Sequence, residues 1–257
     1  MTRVIKVGGR PQLDPALPRA LASAHAASPG SLVVVHGGGD EVGALQRLYG
    51  IEARFHGGRR VTSSLDLEII RMALSGSANK RLVAALNDQG VAALGLSGED
   101  AGLLNATPLD ADRYGYVGAP ATVNVTLLRH LLAGDVLPVI SPVSRHATPG
   151  DDEPSTLNVN GDDAAASIAA ALEADELLLV SDVAGVLVDG EAVNALDADV
   201  ARQLIADGTA AGGMGAKLQA ALAALAGGVA RVRISDIAAI ESLDRGTVLT
   251  RVESVCA

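Results

Sequence analysis

Short apolar runs that end in glycine-bearing turns and lead into segments with helical spacing are the strongest constraint on this fold. Four such runs occupy residues 3–7, 32–35, 91–94 and 176–180. Strands connected through helices pair in parallel, and a parallel sheet is covered by helices on both faces. The order therefore predicts an α/β chain with a mainly parallel sheet and ligands over the carboxyl ends of its strands.

The rest of the chain continues this alternation. Helices are predicted over residues 15–27, 40–49, 64–86, 122–133, 164–172, 199–205 and 218–226, and further strands over 136–140, 231–234 and 247–252. Two hairpins are predicted, over 51–62 around a Gly-Gly turn and over 142–157. Residues 105–122 read as loops and short extended pieces. No linker of disordered composition interrupts residues 1–257, so we expect one domain with an N-terminal lobe of about 1–160 and a C-terminal lobe of about 161–257.

Charge and cysteine content exclude several classes of function. The net charge of -10 and the pI near 4.9 argue against a nucleic-acid or anionic-membrane surface. Cys256 is the only cysteine, so nothing calls for an oxidising compartment. The sequence shows no long uncharged apolar stretch and no signal-peptide layout, which predicts a cytoplasmic location.

The scarcity of lysine draws attention to the positions that have it. Only Lys6, Lys80 and Lys217 occur among 20 basic residues, the others being arginine. A compact ammonium on a flexible stem is not replaceable by a planar guanidinium. Lys6 and Lys217 adjoin glycine-rich segments, and Lys217 is expected at a helix N-terminus, where a cation is favoured only beside an anion such as phosphate. Lys80 is interpreted as an ordinary helix contact.

An amide and a carboxylate meet at one predicted strand-to-helix junction, formed by residues 158–163 with the sequence Asn-Val-Asn-Gly-Asp-Asp. An ordinary helix cap explains Asp162 and Asp163 equally well when the segment is taken alone. Two glycine loops, Gly8-Gly9 and Gly37-Gly38-Gly39, are ambiguous in the same way, because glycine is used both in tight turns and in loops that bind anions. Neither loop matches a Walker or a dinucleotide-binding pattern. His36 is interpreted as a packed or loop histidine, and no chemistry is assigned to it.

Five motifs taken together resemble the amino acid kinase family. They are Lys6-Val7-Gly8-Gly9, His36-Gly37-Gly38-Gly39, Gly58-Arg59-Arg60-Val61-Thr62, Asn158-Val159-Asn160-Gly161-Asp162 and Gly213-Met214-Gly215-Ala216-Lys217. They occur in the family's order along essentially the whole chain. The resemblance implies a three-layer αβα sandwich around about eight strands, and it is greatest to the branch that uses ATP to phosphorylate the γ-carboxylate of N-acetyl-L-glutamate in arginine biosynthesis.

The resemblance also implies roles for individual residues. Lys6 and Lys217 match the lysines that stabilise the transferring phosphoryl group, and Asp162 matches the aspartate that orients both. Gly38 and Gly39 match the donors to the γ-carboxylate, whereas Arg60 and Asn158 match the residues that hold the other end of the amino acid. The nucleotide positions that match are Gly8, Gly9, Asp182, Val183, Ala184, Gly185, Val186, Leu187, Gly213 and Met214.

The same resemblance implies Mg²⁺ with the nucleotide, held mainly by phosphate and water, so no protein ligand is named. A homodimer is expected, without feedback by arginine, because only Met1 and Thr2 precede the first strand. The alternatives are a kinase for a carrier-protein-bound aminoadipate or glutamate, and an inactive amino-acid sensor. Two positions depart from the family pattern: Ala101 stands where Gly is common, and Asp163 where Gln is frequent.

Overall fold

The computed structural model describes residues 1–188 and 190–250. Its strands are β1 Arg3–Val7, β2 Leu32–His36, β3 Phe55–His56, β4 Arg59–Arg60, β5 Ala93–Gly98, β6 Leu104–Pro108, β7 Val117–Val123, β8 Leu137–His146, β9 Thr156–Val159, β10 Glu176–Val180, β11 Leu187–Val188, β12 Glu191–Ala192, β13 Ala195–Asp197, β14 Arg231–Ser235 and β15 Thr247–Thr250. Its α-helices are α1 Leu17–Ala27, α2 Gly39–Leu48, α3 Ser64–Arg71, α4 Asn79–Asp88, α5 Ala111–Tyr114, α6 Val125–Ala133, α7 Gly161–Ala171, α8 Ala198–Ala206 and α9 Gly212–Ala226.

In the described residues a single sheet of eleven strands forms the middle layer, in the order β13-β15-β14-β10-β1-β2-β8-β6-β7-β9 with β5 on β8. Most neighbouring pairs are parallel; the antiparallel pairs are β14 with β15, β6 with β7, and β8 with β9. The predicted fold class is confirmed. The sheet has more strands than the predicted number of about eight, and three of its eleven strands, β9, β13 and β15, are no longer than four residues.

Alternation along the central strands produces two apolar cores. On β1, Val4 packs in the core that contains α7 and α9, whereas Ile5 and Val7 pack in the core that contains α1. The parallel strands β2 and β10 alternate in the same way. Helices therefore cover both faces, as expected for a parallel sheet. Lys6 shares the parity of Val4 on β1, which directs it toward the face that carries α7 and α9.

The carboxyl ends of β1, β2 and β10 lie at one sheet edge because these strands run parallel in register, Val7 pairing with both His36 and Val180. The loop Gly8-Gly9 directly follows β1, and the loop Gly37-Gly38-Gly39 directly follows β2. The register therefore places both loops at the carboxyl ends of parallel strands, where ligand binding was predicted.

Both predicted hairpins form. Phe55 pairs with Arg60 across a turn in which Gly57 and Gly58 have φ of 53° and 77°, the left-handed values that a two-residue primed turn requires. Val143 pairs with Asn158 in the second hairpin. The predicted helix over 64–86 is α3 and α4, joined by a π-helical segment at Met72–Ala78.

Other boundaries differ from prediction. Residues 105–122 contribute β6 and β7 to the main sheet, because Leu104, Ala106 and Val117 alternate into the core. Asn124 caps α6 by accepting from the Leu127 N–H, so that helix begins at Val125.

Helix α9 begins at Gly212, which places Lys217 in its second turn and corrects the expectation that Lys217 stands at the helix start. Ala101 has φ of 51°, a left-handed backbone conformation that favours glycine over other residues. In the described part of the chain no helix is long and apolar enough to span a bilayer.

Candidate functional site

Lys6, Asp162 and Lys217 form one buried cluster. Lys6 lies near the end of β1, Asp162 in the first turn of α7, and Lys217 on α9, so residues far apart in sequence meet between the sheet and two helices. Lys6 Nζ lies 2.8 Å from Asp162 Oδ1, and Lys217 Nζ lies 3.2 Å and 3.3 Å from its two oxygens. The structure therefore brings together the three residues for which catalytic roles were predicted.

Local structure holds Asp162 in place. Asn160 is the N-cap of α7, and its Oδ1 accepts the Asp162 N–H at 2.8 Å. The lysine packs closely against Gly161, where an added Cβ would lie 3.2 Å from Lys6 Cε. The Asp162 side chain is thus released from capping, which Asn160 performs, and is available to the lysines. The capping interpretation applies to Asn160 rather than to Asp162.

The charges in this cluster do not balance. Burial by itself raises the pKa of Asp162, but Lys6 and Lys217 outweigh it and hold the pKa below its ordinary value. Burial and the neighbouring Lys6 lower the pKa of Lys217 to about 8, although Asp162 opposes them. Two ammonium groups share one carboxylate, and this local excess of positive charge favours an anion despite the acidic chain.

A cleft of about 600 Å³, which we call the main cleft, opens beside Lys217. Its lining includes seven of the predicted nucleotide residues, which are Gly8, Gly9, Asp182, Val183, Leu187, Gly213 and Met214. Ala184, Gly185 and Val186 are not among the described residues that line it. Val186 is buried in the core and its N–H donates to Thr247 Oγ1, while the Ala184 carbonyl accepts from Ser235.

A smaller cavity of about 190 Å³, which we call the inner cavity, lies on the other side of the glycine loops. Gly38, Gly39, Arg60 and Asn158 all line it, so the four predicted substrate residues are brought together. Gly39 lines both hollows. Lys217 lines the main cleft, and Gly161, which precedes Asp162, lines the inner cavity, so the lysine–aspartate cluster adjoins both hollows.

Arg60 and Asn158 both have defined partners. Asn158 Nδ2 donates to Thr62 Oγ1 at 2.9 Å. Arg60 donates to Gln46 Oε1 and, at 3.2 Å, to the Gly39 carbonyl oxygen, and its guanidinium carbon lies 4.7 Å from the centre of the Phe55 ring. Burial lowers the pKa of Arg60 from its ordinary value. Its guanidinium still stays charged in a protein.

A third and larger hollow of about 970 Å³ adjoins the main cleft, with which it shares Arg10, Pro11, Ser181 and Asp182. None of Lys6, Asp162 and Lys217 is among the described residues that line it. Of these three residues, Lys217 lines the main cleft. Among the described residues there is also no group of three His, Cys, Asp or Glu side chains suited to a metal ion.

His36 is fully buried under the second glycine loop. Its Nε2 accepts from Asn79 Nδ2 at 3.0 Å, and that amide nitrogen also donates to the Val139 carbonyl. The proton of the neutral ring therefore lies on Nδ1, which donates to the Gly37 carbonyl at 2.8 Å. Burial lowers the pKa of His36 to about 4, so the ring is neutral at physiological pH. It packs, as predicted, and it supports the loop.

Sequence reasoning assigned no individual role to four polar residues near the site: Gln46, Asp66, Asn79 and Arg59. Arg59 Nη1 lies 2.5 Å from Asp163 Oδ2 and joins the first hairpin to α7. Gln46 follows Gly39 and Val42 at helical spacing and is 1% exposed. A glutamine on the apolar face of a predicted helix was the available signal.

Known proteins resemble this chain in sequence and in overall fold. The model of the amino acid kinase family matches residues 1–236. The acetylglutamate kinase of Ruegeria pomeroyi is 47% identical over 79% of this chain and 69% of its own length, and that of Roseiflexus castenholzii is 44% identical over 96% and 93%. The crystal structure of smu.665 from Streptococcus mutans UA159 has a TM-score of 0.85 at 28% identity, covering 97% of this chain and 98% of that one. The chain belongs to the amino acid kinase family.

Proposed function

We propose that this protein transfers the γ-phosphoryl group of ATP to the γ-carboxylate of N-acetyl-L-glutamate, an early step of arginine biosynthesis. The observation that carries the proposal is the buried Lys6–Asp162–Lys217 cluster beside two hollows that share Gly39. The names of relatives at 44–47% identity support this substrate. The product is an acyl phosphate, N-acetyl-L-glutamyl 5-phosphate.

The chemistry requires charge stabilisation rather than a base. A carboxylate is already ionised at neutral pH and can attack phosphorus directly. The obstacle is repulsion between that anion and about four negative charges on ATP. Lys6 and Lys217 stabilise charge that spreads over the phosphoryl oxygens in the transition state, and Asp162 holds both ammonium groups in position. His36 does not act as a base because it is neutral, buried and already hydrogen-bonded.

The inner cavity supports a small free amino acid. Its volume of about 190 Å³ suits a compact substrate, and its walls offer the backbone of Gly38 and Gly39, the guanidinium of Arg60 and the amide of Asn158. Arg60 would hold the α-carboxylate, and Asn158 the N-acetyl end. A carrier-protein-linked substrate needs an exit channel for its linker and a basic docking surface, which the net charge of -10 does not favour.

The main cleft suits ATP. Its volume of about 600 Å³ is typical of ligand pockets, and Gly8, Gly9, Gly213 and Lys217 supply close backbone approach and positive charge for phosphates. Asp182, Val183, Leu187 and Met214 would surround the nucleoside. Mg²⁺ bound to the phosphates would neutralise part of their charge. We assign it no protein ligand.

The assembly and location of the protein are part of the same proposal. We place the amino acid in an N-terminal lobe of about residues 1–160 and ATP in a C-terminal lobe of about 161–257, with the first glycine loop reaching across to the phosphates. A cytoplasmic homodimer is the assembly we expect for this enzyme.

A product assay tests the proposal directly. The purified protein is given ATP and Mg²⁺ with N-acetyl-L-glutamate, free L-glutamate or L-2-aminoadipate, and acyl phosphate is trapped as hydroxamate while ADP is measured. We expect hydroxamate with N-acetyl-L-glutamate far above the other two acids. Equal yields with all three, or none with the acetylated acid, would contradict the assignment.

Arg60→Ala is expected to raise KM for N-acetyl-L-glutamate about tenfold to a hundredfold, the range for a lost hydrogen bond to a charged group. Because Arg60 is placed at the end of the substrate remote from the transferred phosphoryl group, kcat and the KM for ATP should change little. Steady-state kinetics with each substrate varied in turn provide the check. A variant with normal KM but low kcat would move Arg60 to the reacting end.

The rate should fall as pH rises through about 8. The pKa of Lys217 is lowered to about 8, so its ammonium is present below that pH and is lost above it. A profile of kcat/KM for ATP reports ionisations of the free enzyme. We expect its alkaline limb near pH 8 in the wild type, and no such limb in Lys217→Arg, whose residual activity depends on a group that does not titrate in this range. If the alkaline limb persisted unchanged in Lys217→Arg, the ionisation that causes it would belong to another residue.

A further inference from the structure

Two buried polar side chains lie behind Arg60. Gln46 on α2 is 1% exposed and Asp66 on α3 is 6% exposed, and the same two helices contribute Val42, Ile69 and Ile70 to one apolar core. Burying an amide and a carboxylate is unfavourable unless each is hydrogen-bonded. Asp66 belongs to the capping box of α3, in which its carboxylate accepts from the Ser63 N–H. This cap does not explain the buried amide of Gln46, which calls for a reason beyond packing.

Hydrogen bonds determine which way the Gln46 amide faces. Its Nε2 donates to Asp66 Oδ1 at 2.6 Å. Burial by itself raises the pKa of Asp66, but hydrogen bonds from Ser63 and Gln46 outweigh it, and the pKa lies below the ordinary value. An ionised carboxylate only accepts hydrogen bonds. The amide nitrogen therefore faces Asp66, and Gln46 Oε1 is left to accept from Arg60 Nη1.

The Arg60 guanidinium is consequently held on three sides. Gln46 accepts from Nη1, the Gly39 carbonyl accepts from Nη2, and the Phe55 ring covers one face at 4.7 Å. The other N–H donors have no acceptor in the described part of the chain, and Arg60 lines the inner cavity. A guanidinium fixed before a ligand arrives loses less conformational entropy on binding than a mobile one.

We infer that Gln46, oriented by Asp66, is a positioning residue that preorganises Arg60 for the carboxylate of the substrate. The inference rests on the proposed function for the identity of that substrate. Gln46 itself does not touch the reacting atoms. It acts by orienting Arg60. Because Arg60 also donates to the Gly39 carbonyl, the orientation of Arg60 in turn affects the glycine loop that contains Gly39.

A double-mutant cycle tests this role. Gln46→Met preserves length and removes both hydrogen bonds, and it should raise KM for N-acetyl-L-glutamate about tenfold, the scale of a hydrogen bond to a charged group. The KM for ATP and kcat should stay close to wild type. In an Arg60→Ala background the same change should have no further effect, because the residue that Gln46 positions is gone. Equal factors in both backgrounds, or no effect in either, would overturn the inference.

A second measurement does not depend on turnover. Rotation of the Arg60 guanidinium about its Cζ–N bonds is followed by nitrogen NMR, with the signal assigned by its loss in Arg60→Ala. Rotation should be hindered in the wild type and in the matched control Gln203→Met, which changes an exposed glutamine of α8, and faster in Gln46→Met. The same rotation rate in Gln46→Met and in wild type would refute the inference, whichever acid the protein phosphorylates. Failure of the hydroxamate assay alone would refute only the proposed function.

Discussion

Replacing Lys217 by alanine is expected to lower kcat about a thousandfold, the scale seen when a charge-stabilising group is removed from a phosphoryl or acyl transition state. Lys217 Nζ lies 3.2 Å from the same Asp162 oxygen that Lys6 contacts at 2.8 Å, so both ammonium groups are directed to one place. Lys6→Ala should have an effect of the same order. The KM for N-acetyl-L-glutamate should change much less than kcat, because the contribution of the lysines is greatest in the transition state.

The third lysine of the chain is the matched control. Lys80 Nζ donates to the Gly95 carbonyl at 3.0 Å on an exposed part of α4. Lys80→Ala removes the same number of atoms and the same charge, and its kcat should stay within about twofold of wild type because surface contacts contribute little. The hydroxamate assay on the three variants provides the measurement. Normal turnover by Lys217→Ala would exclude the proposed mechanism.

Replacing Asp162 by asparagine is expected to lower both stability and turnover. The change leaves two buried ammonium groups facing each other without a carboxylate, and breaking a buried ion pair costs about 3 kcal/mol in the free energy of unfolding. Since Asp162 opposes the downward shift in the pKa of Lys217, that pKa should fall below about 8 in the variant. The alkaline limb of kcat/KM should then move to lower pH. Urea unfolding and pH profiles measure the two effects.

Asp163→Asn is the comparison for this change, because Asp163 belongs to the same turn of α7. Burial raises the pKa of Asp163, and Arg59 only partly offsets it, whereas the pKa of Asp162 is lowered. Neutralising Asp163 should therefore change the free energy of unfolding by less than about 1 kcal/mol. Equal losses in the two variants would show that position in the helix, rather than the pair of lysines, makes Asp162 important.

The periodicity of the chain predicted its architecture well. The apolar runs at residues 3–7 and 176–180 are strands with those bounds, and the Gly57-Gly58 turn forms the predicted hairpin. Predictions were poorest where short-range pattern is weak. Residues 105–122 alternate too briefly to identify as strands, yet they join the sheet, in which β6 pairs with β8 and β7 with β9. The start of α9 was missed because Gly212, Gly213 and Gly215 weaken a helical pattern.

Single motifs marked the residues of the site, but they could not establish the environment of those residues. Lys6, Asp162 and Lys217 were identified by lysine scarcity and by resemblance, and the structure places them in contact. The lowered pKa of Lys217 and the neutral state of His36 follow from burial, which depends on residues from many elements. The Asp66–Gln46–Arg60 chain was not predicted, because its members come from α3, α2 and the first hairpin.

By itself, the sequence determined the class of fold and the strand ends at which polar and glycine residues collect, because backbone geometry and side-chain periodicity act over a few neighbouring residues. Only the tertiary structure decided which charges share a counter-ion and which arginine is held rigid. Those properties depend on distances of about 3 Å between groups on different elements and on the exclusion of water around them, and neither is a function of spacing along the chain.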